Sequence, residues 1–161
     1  MDTIIIREIQ KQDNEQIASV IRAVFISDGY PKTGTAFADS QLDFMYEAYD
    51  LPNAAYFVVE QNGTIIGGAG VSPLDVSSYA ICELQKMYFL QTARGKGIGF
   101  QMIQICLEKA KSLGFEKCYL ETLTEMLAAQ KLYKKVGFDY ICTPLGNTGH
   151  TSCPIWMLKT L

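Results

Sequence analysis

The 161-residue sequence is 48% hydrophobic and 19% charged, an ordinary globular mix whose length suits one domain, residues 1–161, with its own core. A net charge of −3 argues against nucleic acid or an anionic membrane as the main partner, though it leaves room for a locally basic pocket. No apolar stretch approaches the roughly 20 residues that a membrane-spanning helix needs.

Thr3 to Ile9 is a β-branched run that reads as a first strand. Asp13-Asn14-Glu15-Gln16 has the form of a capping box, and Ile17, Val20, Ile21, Val24 and Phe25 follow at helical spacing. Ser27 to Thr35 holds Asp28-Gly29-Tyr30-Pro31 and Gly34 and reads as a loop. Ala38 to Tyr49 predicts a second helix, with Leu42, Met45, Tyr46 and Tyr49 on one face and Phe44 in the core. Ala54 to Glu60 and Thr64 to Val71 are strands joined by the hairpin signal Asn62-Gly63, the second strand weakened or bulged by Gly67, Gly68 and Gly70. Tyr79 to Leu90 is a longer strand.

A helix then runs from the Arg94–Gly99 loop to about Leu113, with Gly114 as its stop. Lys117 to Glu121 is a short strand, and Glu125 to Val136 a helix ended by Gly137. Phe138 to Cys142 and Ile155 to Leu158 form a last pair of strands around a Gly-, Asn- and Thr-rich loop. This order predicts a mixed α/β fold. The cysteines at 82, 106, 118, 142 and 153 form no C-x-x-C pair, and the single histidine completes no zinc site, so no metal is expected. Their odd number, with no signal-peptide pattern, points to a reducing, cytoplasmic setting.

Chemistry concentrates in Arg94-Gly95-Lys96-Gly97-Ile98-Gly99. Glycines at a helix start leave unpaired N–H groups at the positive end of the helix dipole, an arrangement suited to phosphate. Arg94 and Lys96 add charge. The P-loop pattern G-x-x-x-x-G-K-S/T is absent, and the G-x-G-x-G spacing misses the dinucleotide fingerprint G-x-G-x-x-G.

Met87-Tyr88-Phe89 followed by Arg94–Gly99 resembles the central strand and R/Q-x-x-G-x-G/A loop of the GNAT N-acetyltransferase family. Ala129, Leu132-Tyr133 and Gly137-Phe138 resemble the family's A-x-x-L-Y-x-x-x-G-F segment. The resemblance spans about Glu83 to Phe138. It implies the GNAT fold, a largely antiparallel sheet flanked by helices, and acetyl-CoA as co-substrate without a metal. Met87, Tyr88 and Phe89 would hold the pantetheine arm, and Arg94, Gly95, Lys96, Gly97, Ile98 and Gly99 the pyrophosphate. Met126 and Ala129 would border the arm. The family often has Asn where Met126 stands, so a polar contact there is either lost or supplied by Thr124.

By the same resemblance Tyr133 is the general acid beside the sulfur. Glu83 is the candidate base. Strand alternation would place it on one face with Met87 and Phe89. Tyr30, Asn147 and His150 are candidate acceptor contacts, and His150 titrates near neutral pH. The implied acceptor is a primary amine of a small molecule, amino acid or peptide. The alternative is a non-catalytic acyl-CoA-binding module on the same fold. Homodimers are common in the family, and the edge of the last strands or Trp156 offers a surface for one.

Overall fold

The computed structural model describes residues 1–75 and 80–161. Tyr79, the expected start of the fourth strand, lies outside the described residues. Among them, seven strands form one sheet: β1 (Ile4–Glu8), β2 (Ala55–Gln61), β3 (Thr64–Pro73), β4 (Ile81–Phe89), β5 (Lys117–Thr122), β6 (Asp139–Ile141) and β7 (Ile155–Thr160). The spatial order is β1-β2-β3-β4-β5-β7-β6. Neighbours run antiparallel except β4 and β5, which are parallel. The helices are α1 (Asn14–Asp28), α2 (Met45–Tyr49), α3 (Ile98–Ser112) and α4 (Leu127–Lys135). The element order and fold class match the sequence expectation. No helix among the described residues is long and apolar enough to cross a membrane.

Strand alternation divides the core into two layers. Tyr56 and Val58 of β2 pack with Ile17, Ile21 and Phe25 of α1. Ala55, Phe57 and Val59 face Met102, Ile103 and Cys106 of α3. The Asn62-Gly63 turn has φ of +52° and +83°, as a tight hairpin between right-twisted strands requires.

Two local expectations fail for physical reasons. Asp13 is itself in helical conformation and caps nothing in α1. Its carboxylate instead accepts the Gln10 N–H at 2.7 Å and the Arg7 guanidinium at 2.8 and 3.0 Å. The stretch from Ala38 to Tyr49 is not one helix. Two 3-10 turns, Ala36–Ala38 and Ser40–Asp43, precede the short α2. Leu42, Met45 and Tyr49 are buried as expected, but Phe44 is 62% exposed. The side chain of Asn14 in α1 accepts the Tyr46 N–H at 2.7 Å, so a tertiary contact starts α2 where no local cap does.

Candidate active site

The parallel ladder between β4 and β5 spans three residue pairs and stops at Glu83–Tyr119. Beyond it β4 continues to Phe89 and β5 to Thr122, each held by its other neighbour, so the two strands part. A cavity fills the opening. It is lined by Glu83, Gln85 and Tyr88 of β4, Glu121 and Thr122 of β5, and Met126, His150 and Cys153. A second cavity of about 220 Å³ adjoins it and shares Glu83, Gln85, Lys86 and His150, adding Asp39 and Asn147.

A bulge decides which β4 side chains face these cavities. Gly70 pairs with Gln85 and Gly68 with Tyr88, so Ala69 opposes both Lys86 and Met87. Lys86 takes φ of +49°, a left-handed conformation costly for a side-chain-bearing residue. The buried Tyr56 hydroxyl donates to the Lys86 carbonyl at 2.8 Å and so supports the distorted backbone. Gly68 and Gly70 leave room for the Tyr56 ring, since a Cβ on either would lie 2.6 Å from a ring atom.

The expected shared face of Glu83, Met87 and Phe89 is therefore corrected. Glu83 and Gln85 face the cavities, and the extra residue turns Lys86 and Tyr88 to the same side. Met87 and Phe89 pack instead against the α3 layer. Simple alternation counts one residue per step and misses the inserted one.

Glu83 is 5% exposed at the point where the strands part. Burial pushes its carboxyl up to about 7, against the opposing pull of a 2.5 Å hydrogen bond from Gln85 Nε2. The buried Lys86 ammonium reaches Asp39 at 3.1 Å, and Asp39 in turn meets His150 Nε2 at 3.1 and 3.2 Å. Burial works against charge on the imidazole, but Asp39 outweighs it and His150 lies above its ordinary value. Asp39 is held below the carboxylate range, its own burial overcome by His150 and Lys86. His150 is thus a half-buried member of a charged cluster, not a solvated loop residue. Its loop is tied to β5, where the Thr148 hydroxyl donates to Glu121 and the Leu145 N–H donates to Tyr119 Oη at 3.1 Å.

The glycine loop lies at the far end of β4 and leads into α3. Gly95 and Gly97 have φ of +74° and +75°, and a Cβ on either would meet nothing within 4 Å among the described residues. They are there for backbone conformation. Gly99 is there for packing, because a Cβ would sit 3.0 Å from Leu132 Cδ2 of α4. Among the described residues no side chain caps α3, so the N–H groups after Gly97 lack an in-helix acceptor. Lys96 is exposed beside them. Arg94, expected to help hold the pyrophosphate, also makes contacts within the protein: Nε donates to the Phe89 carbonyl at 3.0 Å and Nη2 meets Asp28 at 2.8 Å. The side chain ties the loop to the end of α1.

Tyr133 of α4 is 6% exposed, its ring edge-on to Phe138 at 5.9 Å. Burial raises its hydroxyl well above the ordinary tyrosine range, so it stays protonated at physiological pH. Ala129 packs partly buried on the α3 layer, and Met126 lines the inner cavity. Thr124 is exposed. The turn into α4 is instead held by Gln130, whose Nε2 donates to the carbonyls of Leu123 and Thr124 at 2.9 and 3.3 Å. The three acceptor candidates separate. Asn147 and His150 line the outer cavity, whereas Tyr30 sits edge-on to Phe25 beside Asp28 and Arg94. Sequence reasoning missed Asp39, Gln85, Lys86 and Tyr49, which stand in no motif and meet only through the bulge and the 3-10 turns.

The parted strands, the glycine loop and the tyrosine helix sit together in the frame of an acetyltransferase fold. A family model described as "Acetyltransferase (GNAT) family" matches residues 15–138. The chain is 44% identical over 158 residues to the uncharacterized N-acetyltransferase YjgM of Escherichia coli, covering 98% of this chain and 95% of the relative. A GNAT-family acetyltransferase from Staphylococcus aureus superposes with a TM-score of 0.87 at 19% identity, covering 98% and 99% of the two chains. The PaiA N-acetyltransferase of Thermoplasma acidophilum, solved in complex with coenzyme A, has a TM-score of 0.74 at 18% identity, covering 99% of each. The chain belongs to the GNAT family of acetyltransferases.

Proposed function

We propose that the chain transfers an acetyl group from acetyl-CoA directly to a primary amine of a small molecule, amino acid or peptide. The observation that carries this reading is the buried Glu83 carboxylate at the mouth of the parted strands. The loop supports the cofactor assignment: its positive-φ glycines leave the helix-start N–H groups free of Cβ atoms, the form a pyrophosphate needs. Acetyl-CoA would supply an activated thioester. The N–H groups from Gly95 to Gly99 and Lys96 would hold its phosphates, and backbone groups of Met87, Tyr88 and Phe89, with Met126 and Ala129, its arm.

Glu83, with a carboxyl near 7, is matched to taking a proton from an ammonium group at neutral pH. Tyr133, protonated throughout that range, donates toward the leaving sulfur. An unpaired N–H of the parted β4 near Phe89 polarises the carbonyl. Asp39, Asn147 and His150 line the approach of the acceptor, and the carboxylates of Glu83 and Glu121, added to an Asp39 already paired with Lys86 and His150, favour a cationic amine. Four buried thiols and one exposed thiol, all unpaired, suit a reducing cytoplasm.

Calorimetry with acetyl-CoA, CoA and NAD, followed by a thiol-release assay across an amine library, tests the reading. Binding of CoA but not NAD, with turnover on at least one amine, is expected. Binding of NAD alone overturns the cofactor assignment. Binding of CoA with no turnover on any amine favours an acyl-CoA-binding module.

A further inference from the structure

Glu83 is oriented by a side chain that no motif marks. Gln85 Nε2 donates to Glu83 Oε1 at 2.5 Å, and the other end of the same amide, Oε1, accepts the Tyr49 hydroxyl at 2.6 Å. Tyr49 comes from α2, across the α1-side layer. It is 5% exposed, and its ring packs against Tyr56 at 5.0 Å. The three groups form a single-file chain from the interior to the site.

An amide has one accepting end and one donating end. With the phenol proton given to Gln85 Oε1, only the N–H end remains for Glu83. An N–H donor favours the ionised carboxylate, the form that accepts a proton. The reversed amide would set a carbonyl against Glu83, a pairing that only the protonated acid satisfies. We propose that Tyr49 and Gln85 form a positioning relay, in which Tyr49 sets the sense of the Gln85 amide and Gln85 holds Glu83 as a proton acceptor. The relay rests on Glu83 as the base; its own test reads the Glu83 midpoint, and turnover is used only to test the base.

Other charged and titratable groups face Glu83 from every element packed against it. They are Lys86 on β4, Asp39 between the two 3-10 turns, Tyr119 and Glu121 on β5, and His150 and Cys153 on the loop before β7. They stay in place in Tyr49→Phe, which removes one oxygen and keeps the ring against which Lys86 Nζ lies at 5.8 Å.

The experiment is a carboxyl-¹³C NMR titration of glutamate-labelled protein, with Glu83→Gln assigning the resonance. In Tyr49→Phe the Glu83 midpoint should rise by about half to one pH unit, and in Gln85→Met by about one unit or more. Gln85→Met leaves the Tyr49 ring untouched and carries the test if Tyr49→Phe does not fold. Equal midpoints in wild type and the folded variants overturn the relay. A rise in the midpoint, with Glu83→Gln as active as wild type on the amine found by the library screen, leaves the relay standing and removes Glu83 as base.

Discussion

Gly97→Ala separates the anion-binding role of the loop from its part in folding. Gly97 has φ of +75° and precedes α3, and an added Cβ would meet nothing within 4 Å among the described residues. The perturbation is therefore purely conformational, about 1–2 kcal/mol for holding an L-residue in the left-handed region. Among the described residues no neighbour touches an added Cβ to hold it there, so alanine relaxes out of that conformation in the free protein and turns the N–H groups away from the ligand. Binding must restore them. The CoA dissociation constant should then rise by roughly five- to thirtyfold. The melting temperature should fall by only a few degrees, at about 2–4 °C per kcal/mol for a chain this size.

Gly114→Ala is the control. It sits at the other end of α3 with φ of +93° and equally open space. It should cost comparable stability and leave CoA affinity unchanged. Calorimetry on both variants, with thermal melts alongside, gives the comparison. A Gly97→Ala protein that binds CoA as tightly as wild type, or a Gly114→Ala protein equally impaired, refutes the assignment of the anion site to the start of α3.

Tyr133→Phe should cut thiol release at least tenfold with CoA affinity within a factor of about two; an unchanged rate removes Tyr133 as general acid. Glu83→Gln should melt higher than wild type at pH 8. The folded carboxyl lies near 7 against an ordinary 4.5, so stability is lost as pH rises between those values, by up to about 3 kcal/mol. The gap between the two proteins should close toward pH 4.5, and a gap independent of pH contradicts the assignment. Asp13→Asn should destabilise by about 1–3 kcal/mol at pH 7 through loss of the Arg7 pair. Burial works to raise the Asp13 carboxyl, but Arg7 and the Gln10 N–H hold it below its ordinary value, so that contribution is present above pH 4 and fades as pH falls through the folded value. Denaturant melts across pH measure it.

The repeating elements were legible because each is written in consecutive residues. The apolar stripe of α1 and the Asn62-Gly63 turn depend on neighbours a few positions away, and both came out as expected. Phe44 and the helix expected from Ala38 did not. Their conformation follows from Asn14, which reaches the Tyr46 N–H from another element.

At the candidate site, the glycine loop and Tyr133 could be singled out because they stand in motifs, and Glu83 because it lies four residues before Met87 on the same strand. The cluster of Asp39, Lys86 and His150 was not, since its members lie on three elements far apart in the chain. By itself the sequence determined the order of elements, the glycine loop at the start of α3 and the family. These rest on periodicity and on backbone freedom at glycine, which are local properties. Only the tertiary structure decided that β4 and β5 part after Glu83 and that a bulge at Lys86 turns the strand. It also drew Arg94 back to Asp28. Those outcomes depend on which backbone groups find partners across the sheet, and that is settled only when distant strands are brought together.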